Sequence, residues 1–303
     1  MAEASGTQPS LLAVSDLHVS YPVNRAIAER IEPGTPEDWL IVAGDVGELI
    51  ADIESALRGF SERFAKVIWV PGNHELWSHR RETFRLDGAE LRGEARYRHL
   101  VGICRRLGVV TPEDPYPVWR GAGGPAVVVP LFTLYDYSFR PEGADSKEAG
   151  LRIARASGVV CTDERWLRCD PYPGPEDWCR ARVELSRRRL EAEVLPAGLP
   201  AVLVSHYPLI REPTRVLRYP HFAQWCGTTE TAAWPSRYRA TAVVYGHLHI
   251  PRPIWHDGVR HEEVSLGYPR EWEHRAELGY PPVVPRRILP EPDSYPAWPP
   301  RPR

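Results

Sequence analysis

At 303 residues and 34.4 kDa the chain can hold one large domain or two small ones around a sizeable core. Its 43% hydrophobic and 26% charged residues are ordinary for a globular protein, and a net charge of −2 with pI near 6.6 gives no global pull toward nucleic acid or a membrane. No apolar run approaches the roughly 20 residues that cross a bilayer, MAEASGTQPS lacks the features of a signal peptide, and five cysteines without a CxxC pair argue against a disulfide framework, so a cytoplasmic location is expected.

Residues 11–15 (LLAVS) read as a short buried strand that ends at Asp16-Leu17-His18. In extended chain, residues two apart point the same way, so one carboxylate and one imidazole face a common point. Residues 23–31 read as a short helix closed by Pro33-Gly34, and residues 39–43 (WLIVA) as a second strand ending at Gly44-Asp45. Residues 48–66 carry Ile50, Ile53, Leu57, Phe60 and Phe64 at helical spacing. Residues 67–70 (VIWV) are a third strand, stopped by Pro71-Gly72, with Asn73, His74 and Glu75 directly after the turn. Strand, helix, strand with chemistry-bearing residues only at strand ends is the pattern of a layered α/β domain.

Residues 79–107 read as an arginine-rich helix with a solvated basic face. Residues 126–131 form another strand, and 135–174, a mixture of Tyr, Pro, Gly, Arg and Asp, reads as loops over the site with a helix inside. Residues 177–195 form a basic amphipathic helix. The strand at 201–205 ends at His206, the strand at 241–245 ends at Gly246-His247-Leu248-His249, and 259–266 is a last strand. His79, His99, His221, His256 and His261 read as surface or loop histidines. The expected organisation is a disordered start at 1–10, one domain over 11–279 with an insertion around 79–200, and a proline-rich tail at 280–303 that is extended or disordered. Only Lys66 and Lys147 are lysines; every other basic residue is arginine, which suits a GC-rich coding sequence as well as bidentate recognition of phosphate.

Five apolar strands thus end in DLH, GD, GNHE, H and GHLH. The donors are aspartate, asparagine and histidine without thiolate, a set that suits Mn or Fe, with Zn as the alternative, rather than a structural zinc cluster. They are too many for one ion, and two ions about 3.5–4 Å apart sharing a carboxylate account for the surplus.

In that order the blocks resemble the signature of the calcineurin-like metallophosphoesterases, DxH, GD, GNH[E/D], H and GHxH, across roughly residues 11–250. The resemblance implies a four-layer α/β/β/α sandwich of two mixed sheets flanked by helices. It implies that Asp16, His18, Asp45 and His249 hold one divalent ion and that Asp45, Asn73, His206 and His247 hold the other. Asp45 then bridges, and His74 lies outside the ligand shell, facing the phosphoryl group as a catalytic residue. Glu75 is expected to hydrogen-bond a ligand or a loop amide, and Arg270 either reaches the site or makes a structural salt bridge. The serine/threonine phosphatase branch carries a longer motif ending in Asp-Arg-Gly where this chain has GDVGE, so that branch is not expected. WLIVAGDV, FAKVIWVPGNHELW, LYDYSFRPEGADSK, WCGTT, VYGHLHIPR and DGVRHEEVSLGYPREW resemble the actinobacterial phosphopantetheinyl hydrolases, which remove 4′-phosphopantetheine from carrier proteins. The implied activity is therefore phosphodiester hydrolysis on a holo-acyl or peptidyl carrier protein, with a small metabolite or nucleotide phosphoester as the alternative substrate. The arginines of 80–106 and 211–218 are expected to rim the site and complement an acidic partner.

Overall fold

Short apolar runs, buried on both faces, build two sheets with a dry layer between them. The structure, a computed structural model, describes residues 8–78, 85–86 and 89–295. The first half runs β1 (Leu11–Val14), α1 (Pro22–Glu29), β2 (Trp39–Val42), α2 (Ile50–Arg63), β3 (Lys66–Trp69), the single turn α3 (Asn73–Leu76), β4 (Arg85–Leu86), β5 (Ala89–Glu90), α4 (Gly93–Arg106), β6 (Val118–Trp119) and β7 (Ala126–Pro130). The second half runs α5 (Lys147–Ala156), α6 (Asp163–Trp166) and α7 (Pro175–Arg189), which continues through a π-helical stretch, Leu190–Val194, into α8 (Leu195–Ala197). Then come β8 (Ala201–Val204), α9 (Trp234–Arg237), β9 (Ala240–Tyr245), β10 (Pro253–His256), β11 (Val259–Glu263), α10 (Pro269–Glu277) and β12 (Arg286–Leu289).

The first sheet has the order β12-β1-β2-β3, the second β10-β11-β9-β8-β7-β6. β1, β2 and β3 are parallel, as are β7, β8, β9 and β11, while β12, β10 and β6 pair antiparallel at the edges. Leu11, Ala13, Ile41, Ala43, Ile68 and Val70 of the first sheet meet Val128, Val202, Val204, Ala242 and Val244 of the second. The alternate residues Val14, Leu40, Val42, Val67 and Trp69 turn outward and pack under helices, where α2 contributes Ile50, Ile53, Leu57 and Phe60. β1, β2, β3, β7 and β8 are therefore apolar on both faces, which is why they read as unbroken runs rather than alternations. Helix, sheet, sheet, helix is the expected layering.

Three expectations change. Among the described residues of 79–107 only Gly93–Arg106 is α-helix, and β4 and β5 pair antiparallel before it. His79 lies outside the described residues. The ordered fold does not stop at 279. Arg286–Leu289 pairs with β1 and completes the first sheet, and Arg286 Nη2 lies 2.6 Å from Glu262 Oε1 of the second. Flanking prolines are tolerated there because β12 is an edge strand. His261 is no surface histidine: it is fully buried on β11. All five cysteines are buried and free, and among the described residues no helix is long and apolar enough to cross a membrane.

Candidate metal centre

Every parallel strand that ends in a chemistry-bearing block ends at the same rim of the molecule. Asp16 and His18 follow β1, Asp45 follows β2, Asn73 and His74 follow β3, His206 follows β8, and His247 and His249 follow β9. This is the carboxyl edge, where open α/β sheets place ligands. All eight residues named from the sequence come together there, and all are buried except His249, which is partly exposed. Asp16, His18, Asp45, His247 and His249 have φ between 44° and 68°. A left-handed non-glycine residue costs on the order of 1–3 kcal/mol, and Asp and His are among the residue types that tolerate it best. Five such turns in one cluster aim side chains back across the strand ends. A Cβ on Gly72 would run into the Asp45 carboxylate, and one on Gly246 would run into Ser15 and Asp16, so both turns need glycine.

The donor atoms form two sets. In one, His206 Nε2 is 3.4 Å from Asp45 Oδ2 and 3.2 Å from Asn73 Oδ1, and His247 Nδ1 is 3.2 Å from both Asn73 Oδ1 and His206 Nε2. In the other, His249 Nε2 is 3.1 Å from Asp16 Oδ1 and 3.2 Å from His18 Nε2. With metal–ligand bonds near 2.0–2.1 Å, neighbouring ligand atoms sit about 2.9–3.4 Å apart, so these spacings fit coordination shells. Asp45 groups with Asp16 and His206 and also with His18 and His74, which places its carboxylate between the sets.

The neighbours of each donor decide what faces inward. Ala43 O lies 2.9 Å from His206 Nδ1, and Glu271 Oε2 lies 2.7 Å from His249 Nδ1, so those nitrogens carry the proton and the Nε2 lone pairs point into the cluster. Asn73 Nδ2 donates to Asp163 Oδ1 (2.9 Å), which leaves Asn73 Oδ1 inward. Asp45 Oδ1 accepts the His74 amide, while Asp16 Oδ2 accepts Ser15 Oγ and the His247 amide. What converges is a buried set of acceptors, which only cations can reconcile. Without metal ions, protons take that place. Burial disfavours charge on His206, but Asp45 and Asp16 outweigh it and push His206 up to about 10; burial likewise opposes Asp16 in raising His249. Burial and His206 push His247 down to about 3, and burial with His74 and His249 lowers His18. Each set thus holds one protonated and one neutral imidazole. The buried His/Asp cluster suits divalent metal ions. His18 Nδ1 and His247 Nε2 have no partner among the described residues; Tyr268 stacks on His18 at 4.4 Å and Phe222 on His247 at 5.9 Å to hold those rings.

Glu75 accepts the amides of Gly72 (2.8 Å), Asp45 (2.8 Å) and Val46 (2.6 Å), the loop-amide contacts expected of it. Burial and the nearby Asp45 carboxylate push its carboxyl up to about 7. Arg96, expected on a solvated face, is fully buried and donates to Glu75 O (2.6 Å) and Glu48 O (2.7 Å), which ties the two ligand loops together. Of the arginines expected to rim the site over 80–106, Arg92 pairs with Asp170, Arg98 with Glu94 and Glu113, and Arg105 with Asp114, so these three share their charge with neighbouring carboxylates. Arg270 is exposed, 5.8 Å over the Tyr268 ring.

His74 is set apart. Its ring lies 3.7 Å under Trp77, its Nδ1 is 3.3 Å from Glu48 Oε1, and its Nε2 is 3.3 Å from Tyr268 OH and 3.8 Å from Asp45 Oδ2. Burial opposes its charge, but Asp45 and Glu48 prevail and raise its pKa.

The sequence reading missed Asp163, Glu271 and Tyr268. Proline at the first position of α10 and glutamate at the third announce a helix start at 269–271, so Glu271 was findable. Asp163 had no local signal, because its partner is 90 residues away. Asp163→Ala is expected to cost about 10–100-fold in metal affinity or activity, because Asn73 then loses the acceptor that orients its amide; metal titration of the variant beside Asp163→Asn measures it.

The model for calcineurin-like phosphoesterases matches residues 9–251. The chain is 52% identical over 296 residues, 98% of its own length and 88% of the other's, to the acyl-carrier-protein phosphodiesterase PptH of Mycobacterium tuberculosis. The crystal structure of phosphopantetheinyl hydrolase (PptH) from that organism overlays with TM-score 0.90, covering 96% of this chain and 100% of that one. A Thermus thermophilus protein, 13% identical, overlays at TM-score 0.46 over 85% of this chain and 89% of its own, too loosely to support an argument. With the motif blocks gathered at one rim and the match running through all of them, this chain belongs to the calcineurin-like phosphoesterase family.

Proposed function

We propose that this chain is a metal-dependent phosphodiesterase that hydrolyses the bond between 4′-phosphopantetheine and the serine of a holo-acyl or peptidyl carrier protein. The observation that carries the reading is the near full-length 52% identity to an enzyme named as an acyl-carrier-protein phosphodiesterase, supported by the Asp/His groups and the Asn73–His206–His247 contacts at the same rim. In this reading Asp16, His18, Asp45 and His249 hold one ion, and Asp45, Asn73, His206 and His247 the other. The donor chemistry favours Mn or Fe, with Zn as the alternative. Bound there, such ions supply a water of lowered pKa and neutralise charge on the phosphoryl oxygens.

The chain's own residues do the rest. Asp45, between the two sets, fixes their separation. Glu48 holds His74 by Nδ1 and Trp77 packs on its face, so His74 Nε2 points at the centre. From there it donates a proton to the departing seryl oxygen. Water thereby adds its oxygen to phosphorus, the P–O(serine) bond breaks, and the products are 4′-phosphopantetheine and a free serine hydroxyl. Tyr268 OH, 3.3 Å from the same nitrogen, keeps the ring in register before substrate arrives.

Incubating the metal-loaded protein with a holo-carrier protein and weighing the intact product tests the reading. Loss of the phosphopantetheinyl group with recovery of unmodified serine is expected; turnover of small phosphoesters alone sinks it in favour of a metabolite or nucleotide phosphoesterase.

A further inference from the structure

The 135–174 segment, read from sequence as loops over the site, builds a second feature beside the metal centre. Tyr135, Tyr137, Lys147, Asp163, Glu164 and Glu176 enclose a cavity of about 220 Å³. Its wall touches the centre directly, because Asp163 spends one carboxylate oxygen on Asn73 and Trp77. The other, Asp163 Oδ2, is buried with no hydrogen-bond partner among the described residues, and so is Glu176 Oε2. A buried carboxylate oxygen without a donor is costly, so these two atoms call for a ligand carrying N–H or O–H groups.

The remaining groups narrow the ligand. Asp163, Glu164, Glu176 and Asp177 line the cavity against the single ammonium of Lys147, so an anionic group is repelled, which excludes the phosphoryl end of the substrate and leaves its neutral arm. Lys147, one of only two lysines in the chain, lies 2.7 Å from Glu176 Oε1 and 4.4 Å over the Tyr137 ring, and its ammonium has further N–H groups to offer a carbonyl. Tyr137 is pinned by its hydroxyl to Glu164, which also takes Trp225 Nε1, and Leu167 and Pro173 supply apolar wall.

We propose that this cavity receives the pantetheine arm of the substrate, an uncharged chain with amide and hydroxyl donors, amide carbonyls and a dimethyl-bearing carbon. The inference rests on the function proposed above and adds where the arm lies: the phosphoryl end stays at the metal centre, and the acidic cavity takes only the neutral arm. Specificity for a pantetheinyl diester then comes from the insertion rather than from the metal-binding strands.

Pro173→Trp, at an exposed position on the wall, fills the cavity, and Lys147→Met removes its ammonium donor. Both are assayed on holo-carrier protein and on bis(4-nitrophenyl) phosphate, which has no arm. A loss of about tenfold or more in kcat/KM on the carrier, carried mainly by KM, with the arm-free diester within about twofold of wild type, supports the proposal. Equal losses on both substrates, or none on either, overturn it. If the wild type releases no phosphopantetheine, the proposed function fails separately. Calorimetry with free pantetheine then decides the cavity: binding to wild type that Pro173→Trp abolishes retains it, and no binding rejects it.

Discussion

His74→Ala is expected to lower kcat on holo-carrier protein by about 10²–10⁴. The loss on a 4-nitrophenyl diester should be far smaller. The difference lies in the leaving groups. A seryl alkoxide is a strong base and leaves only as it is protonated, whereas nitrophenolate leaves unaided near neutral pH. His74 is placed for that donation: Nδ1 faces Glu48, Nε2 faces the centre, and the neighbouring carboxylates favour its protonated form. Its 3.8 Å approach to Asp45 Oδ2 is also compatible with a ligand, and the experiment separates the roles. Equal loss on both esters together with a lower metal content would make His74 a ligand and remove the acid from the mechanism. Glu48→Gln should fall between wild type and His74→Ala, because it leaves the ring in place and weakens the charge that holds its proton.

Stripping the metal ions is expected to lower Tm, and to lower it more as pH rises. An ion present at about 1,000 times its Kd adds about 4 kcal/mol, and each kcal/mol moves Tm by about 2–4 °C for a protein of this order of size. The pH dependence follows from the histidines. In the metal-free fold His206 is pushed up to about 10 and His249 well above its ordinary value, both by the aspartates they face. A folded pKa above the unfolded one stabilises fully below the unfolded value, about 6.5, and that stabilisation is lost as pH climbs through the folded value. The metal-free protein therefore weakens as pH rises above 6.5, through about 10 for His206, as those protons leave. The loaded protein does not depend on those protons, so the Tm gap between loaded and stripped protein widens across that window. Thermal melts at pH 6.5 and pH 9, with and without Mn, measure it; a gap that closes with rising pH would mean that the acceptors do not compete with protons for a cation.

Both results depend on a cluster whose parts were visible in the chain one at a time. LLAV, WLIV, AVLV and TAVVY were readable as buried strands because parallel sheets covered on both faces leave unbroken apolar runs. The blocks that follow them were readable because glycine and proline mark where each strand stops. What misled was composition read as conformation. The arginines of 92–106 suggested a free basic face, yet Arg96 is fully buried and others are spent on carboxylates. The prolines around 286–289 suggested a loose tail, yet that stretch is an edge strand, where a missing donor costs little.

The sequence by itself determined the block-bearing parallel strands, their order along the chain and the identity of the atoms at their ends, because apolar runs and turn chemistry are local. It could not say that β1 and β9 would bring Asp16 and His249 within 3.1 Å, or that five of the cluster's residues would turn left-handed to do so. Nor could it place Asp163 against Asn73, Glu271 against His249, or Arg96 beneath Glu75. Those contacts join segments tens to hundreds of residues apart. Their geometry is set only when two sheets pack face to face and the insertion folds back over the rim, so the tertiary structure alone decides which way each amide and imidazole points.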